Sequence, residues 1–167
     1  AWDGHWRVVE ELGLLEKTVF YPYGAIEPEP SLPFTLVIPE DLMNALSVAR
    51  DRVGTIRGAM GNAQTPHVQL PNIHHFTRAT WSTKKADVAK EESLRELARM
   101  LFPEHEDLLT EGWLSLGDPE APEARRMADR MDKIAESRDF GRPGPVGLKI
   151  FPGGEIIFAD LALMLRI

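Results

Sequence analysis

The run Gly58-Ala59-Met60-Gly61-Asn62-Ala63-Gln64-Thr65-Pro66-His67-Val68-Gln69-Leu70-Pro71-Asn72-Ile73-His74-His75-Phe76 decides how the rest of the chain is read. It reads as the end of a strand, a polar loop, and a helix opening at Pro71, where a first turn tolerates proline. Positions 61–75 hold three histidines, two glutamines and two asparagines, the densest set of neutral hydrogen-bonding side chains in the sequence. If Val53–Met60 is a parallel strand, this loop lies at its carboxyl edge, where α/β folds bind ligands.

Upstream, the pattern alternates. Asp3 can cap a helix with Trp6, Val9 and Leu12 on its apolar side, closed by Gly13. Thr18-Val19-Phe20-Tyr21 is β-branched and aromatic, a buried strand stopped by Pro22 and Gly24. Residues 24–33 are proline-rich and carry Glu27 and Glu29, which predicts a stiff extended loop. Phe34–Ile38 reads as a short strand or loop arm. Pro39-Glu40-Asp41 suits a helix start, and Leu42, Ala45, Leu46 and Ala49 share one face. Helix, strand, helix, strand over residues 3–60 is the signature of parallel α/β structure. Two parallel strands cannot cover their own faces. The segment is therefore expected to be the end of a larger parallel sheet or barrel, completed by another chain or by residues upstream of Ala1.

Downstream the character turns helical. Stripes at Ile73/Phe76/Ala79, Leu94/Leu97/Ala98/Leu101, Leu108/Leu109/Gly112/Trp113 and Ala124/Met127/Ala128/Met131/Ile134 predict four helices in an antiparallel bundle. Residues 138–147 read as a loop, and Val146–Ile150 with Glu155–Phe158 as a hairpin. The expected fold is an α/β opening segment (1–70), a helical bundle (71–137) and a loop, hairpin and apolar end (138–167), mostly α overall.

Composition narrows the function classes. A chain of 167 residues, 43% apolar, suits one domain or one and a half. Its net charge of −7, from 19 basic and 26 acidic residues, disfavours nucleic acid and anionic membranes as partners. Without cysteine there is no disulfide or thiolate metal site, and the compartment stays open. No apolar run approaches the roughly 18 residues of a spanning helix. Neither a signal peptide nor an initiator Met opens the chain, so a processed protein or a fragment is expected.

Asn62, Gln64, His67 and Gln69 offer donors and acceptors without charge, a set that suits sugar hydroxyls; a polar loop capping its own helix is the plain alternative. Glu27, near Tyr21, Tyr23 and the strand end, can grip hydroxyls or act as an acid or base. Trp81 is the tryptophan placed to stack on a sugar ring, while Trp6 and Trp113 read as core. Neighbouring His74 and His75 point about 100° apart on a helix and do not share a metal. One buried and one exposed histidine is expected, and a site built from His67 and His74 is the minor reading. No catalytic carboxylate pair stands out, and no cofactor is implied.

Val19-Phe20-Tyr21-Pro22-Tyr23-Gly24, Gly61-Asn62-Ala63-Gln64-Thr65, Gln69-Leu70-Pro71-Asn72 and Leu101-Phe102-Pro103-Glu104 with Trp113 resemble the last barrel strands and following helical domain of bacterial glycoside-hydrolase-like proteins, of the α-glucuronidase and hexosaminidase-like kind. The resemblance covers about residues 17–116. It implies a (β/α)8 barrel ending here, a helical bundle after it, and action on carbohydrate. It also implies acid/base carboxylates on middle strands outside this chain, with Tyr23, Glu27, Asn62 and Gln64 at sugar-subsite positions. The competing expectation is a helical interaction module that completes a partner chain and does no catalysis.

Overall fold

The computed structural model describes residues 2–22, 26, 37–52, 54–63, 66–81, 88–116, 122–142, 144–145 and 154–167. Helix α1 (Trp2–Glu11), strand β1 (Val19–Phe20), helix α2 (Glu40–Arg50) and strand β2 (Gly58–Ala59) come first, in the expected alternation. Helices α3 (Pro66–Trp81), α4 (Lys90–Leu101), α5 (Glu106–Ser115), α6 (Pro122–Ser137) and α7 (Glu155–Met164) follow. The chain is mostly helical, an α/β opening followed by a bundle.

Strands β1 and β2 pair in parallel, Val19 against Gly58 and Phe20 against Ala59. Flanking main-chain bonds run from Arg57 N to Thr18 O (2.8 Å) and from Met60 N to Phe20 O (2.9 Å). The strands are shorter than their sequence suggests. Thr55 and Ile56 belong to a turn whose amides bond back to Arg52 O, which leaves only the end of the Val53–Met60 run to pair. Gly13 closes α1 with φ +65, a left-handed conformation that a side chain would strain.

Two apolar clusters result. The first lies under the sheet: Trp6 packs on Phe20 with ring centroids 5.4 Å apart, over Leu42, Ala45, Leu46 and Ala49 of α2 and Phe76 of α3. The second fills the bundle, with Leu94, Leu97, Ala98 and Leu101 of α4, Leu108, Leu109 and Trp113 of α5, Ala124, Met127, Ala128 and Met131 of α6, and Ile157, Phe158 and Leu161 of α7. Trp6 and Trp113 are both core, as expected. Fully burying a Leu or Phe is worth about 1.5–3 kcal/mol, so these stripes account for why the helices form. Helix α3 stands between the clusters: Phe76 belongs to the first, Leu70 packs on the second, and α3 touches α2, α4 and α7.

Two expectations are corrected. Helix α3 starts at Pro66, not Pro71, so His67 and Gln69 are helical and the polar loop ends before them. Pro66 takes the early position proposed for Pro71, and Pro71 sits inside the helix. The expected division at residue 70 therefore falls within α3. Glu155–Phe158 is not a hairpin strand; it opens α7, whose Ile157, Phe158, Leu161, Ala162 and Leu165 are buried at helical spacing. Val146–Ile150, the other half of that hairpin, lies outside the described residues.

Candidate functional site

In a parallel pair both strands point the same way, so the segments leaving β1 and β2 emerge at one edge. Here they touch. A Cβ placed on Gly61 would fall on the Ile26 side-chain tip, with Phe76 Cζ 3.7 Å away, so a larger residue there would make Ile26 shift. Ile26 is buried and directly precedes Glu27, while Gly61 directly precedes Asn62. The fold thus brings together Ile26, which follows β1, and Gly61, which follows β2, one described residue from each of the two segments that the sequence singled out separately.

Asn72 holds this corner. It is 1% exposed. Its Oδ1 accepts the Ile38 N–H at 2.6 Å and its Nδ2 donates to Ile26 O at 3.1 Å, reaching segments 34 and 46 residues away. Ile38 has φ +49, unusual for a β-branched residue, and such backbone costs about 1–3 kcal/mol. The polar side chains Gln69, Asn72 and His75, at i, i+3 and i+6 of α3, are all buried.

His75 Nε2 lies 3.0 Å from Met43 Sδ on α2. A thioether only accepts, so Nε2 carries the proton and Nδ1 is the bare nitrogen. Burial, aided by His74, Arg78 and Lys90, pushes the His75 imidazole down to about 4, so it is neutral at ordinary pH. Burial lowers His74 as well, against Glu96 and with Arg78. His74 is half-buried rather than exposed, which corrects the expectation for it. Arg78 Nη2 and Nε reach Glu92 and Glu96 at 2.6 Å each, tying α3 to α4.

The six proposed ligand residues fare differently. Asn62 is half-buried in the loop after β2, and its side-chain oxygen is buried with no hydrogen-bond partner among the described residues. Trp81 is 84% exposed, at the carboxyl end of α3. His67 lies in the first turn of α3. Tyr23, Glu27 and Gln64 lie outside the described residues, as does the His67 side chain. Among the described residues no group of three or more His, Asp or Glu is arranged to hold a metal.

On the other side of β2 lies a cleft of about 210 Å³, lined in part by Ala49, Arg50, Arg57, Gly58, Ala59 and Thr80. Sequence reasoning passed over it, and it also missed Asn72 and His75 as a buried polar stripe. The signal for the stripe was present as polar residues three apart, once Pro66 is taken as the helix start. No protein-family model matches this chain, and no characterised protein or solved structure matches it.

Proposed function

We propose that this chain is carbohydrate-active and supplies sugar-subsite residues to a glycoside-hydrolase-like site at the carboxyl edge of the parallel sheet. The observation that supports the reading is the contact of Ile26, after β1, with Gly61, after β2, next to Asn62, whose buried side-chain oxygen has no hydrogen-bond partner among the described residues. A buried acceptor without a donor is unfavourable, and a sugar hydroxyl or a water is a donor of the right size for it. The resemblance in the strand and loop motifs adds Tyr23, Glu27 and Gln64 as neighbours in the subsite, and the composition of the polar segment adds His67. Catalysis is assigned to no residue here.

Calorimetric titration with a panel of cello-, xylo-, manno- and chito-oligosaccharides tests this. One sugar class should bind, and Asn62→Ala should weaken it at least tenfold with unchanged helicity. No heat with any member of the panel would count against the reading.

A second reading is a helical interaction module that completes a partner's sheet. What favours it is the cleft beside β2 and a sheet of only two strands among the described residues. Silence towards every sugar, together with tight association to another chain, would favour this alternative.

A further inference from the structure

We infer that Asn72 is a positioning residue for the proposed sugar edge: its one amide group fastens Ile26 and Ile38 onto α3, and so sets where Ile26 meets Gly61, the neighbour of Asn62. The functional consequence rests on the carbohydrate reading; the clamp itself does not.

Four observations converge. Ile26 and Ile38 are 3% and 4% exposed, so their main-chain groups are shielded from water and need partners in the protein. Asn72 supplies one acceptor and one donor from the same short side chain, to Ile38 N and Ile26 O. An ionised aspartate at that position offers two acceptors and no donor, and leucine offers neither. Ile38 is held at φ +49, a backbone state that persists only where its surroundings over-determine it. Finally, Ile26 is seated on Gly61, where a Cβ would meet its side-chain tip, so a shift of Ile26 is felt one residue from Asn62. Simple anchoring would not require a strained backbone, a buried amide and a glycine seat at the same corner.

The polar stripe supports the clamp from below. His75, one turn beyond Asn72, links α3 to Met43 of α2, the helix that starts two residues after Ile38. Asn72 is thereby fixed relative to both segments it holds.

The test uses the full chain as wild type, Asn72→Ala and Asn72→Asp, followed by amide hydrogen exchange, by amide shifts and by titration with the oligosaccharide the wild type binds. In Asn72→Ala the Ile38 amide should exchange at least tenfold faster while α4–α6 amides are unchanged, and sugar affinity should fall about tenfold. Asn72→Asp gives a readout that mere packing would not. Protonated, its carboxyl offers one O–H donor and one acceptor like the amide. Ionised, it still accepts the Ile38 N–H but cannot donate to Ile26 O, so Ile38 should stay protected throughout while the Ile26 and Gly61 amide shifts return towards wild type as pH is lowered from 8 to 5, a range in which His75 stays neutral. Ile38 exchange within twofold of wild type in folded Asn72→Ala, or a flat pH profile of the Ile26 and Gly61 shifts in Asn72→Asp, overturns the inference. Should Asn72→Ala fail to fold, the Asn72→Asp pH series decides alone. If the wild type binds none of the sugars, the functional reading falls while the exchange arm still decides the clamp.

Discussion

The α/β opening and the helical bundle are built on different terms. The bundle core gathers nineteen buried apolar residues among those described, the sheet core eight. The bundle is closed by amphipathic stripes and by aromatic packing of Phe102, Phe140 and Phe158. The opening relies on a few long-range ties, namely a two-residue strand pair, one asparagine and one histidine. Sites that must admit a ligand are drawn from the less stable part of a fold. On the carbohydrate reading, the proposed binding edge belongs to the smaller of the two apolar clusters and the scaffold to the larger.

The sharpest way to break this comparison is to empty the bundle. Phe158, fully buried between Phe102 and Phe140, should cost about 3–5 kcal/mol when changed to Ala. Denaturant melts would show a lower midpoint, and exchange in α4–α6 should rise with it. Equal protection of sheet and bundle amides in the wild type would contradict the ranking of the two regions.

Acid probes the seam between them. His75 is held at about 4 in the fold against 6.5 when free, so the unfolded chain binds more protons between those values. Its contribution is fully present above about pH 6.5 and is lost as pH falls towards 4. The loss amounts to about 3 kcal/mol at 1.36 kcal/mol per pKa unit. Stability measured from pH 7 to pH 4 should fall accordingly, and His75→Gln should flatten that slope.

A local wound to the opening should be smaller. Gly61→Ala drives a methyl into Ile26 and should cost about 1–3 kcal/mol, with amide shifts confined to Ile26, Gly61, Asn62 and Phe76 and the bundle unmoved. The smallest effect belongs to the bundle surface. Arg166 reaches Asp129 at 2.9 Å and Asp132 at 2.6 Å, bridging the end of α7 to α6. Arg166→Ala should cost less than about 1 kcal/mol, and high salt should erase the difference.

How much was legible in the sequence follows the same divide. The alternation of the opening could be read because Val19 and Phe20 are strand formers and Leu42, Ala45, Leu46 and Ala49 mark one helix face. Helix α6 could be read because Ala124, Met127, Ala128 and Met131 stand apart from charged neighbours. The start of α3 could not: Asn72 is buried because it bonds main-chain groups 34 and 46 residues away, and local pattern carries no trace of those partners. The run Glu155–Met164 is apolar on nearly every side, so periodicity does not separate helix from strand there, and its length of 10 residues is the better guide. Asn62 was singled out from its loop composition, and Trp81 from its position one helix further on, with no long-range contact to guide either choice.

The carboxyl edge of the sheet and the cleft beside β2 give the account its most direct trial. Titrating ¹⁵N-labelled protein with the bound oligosaccharide and following every amide should move the Asn62 side-chain amide, Gly61 and Ile26, with saturation at one common affinity and Ala79 and Thr80 left in place. Shifts centred on Ala79 and Thr80, or a spectrum that no sugar in the panel changes, would contradict it.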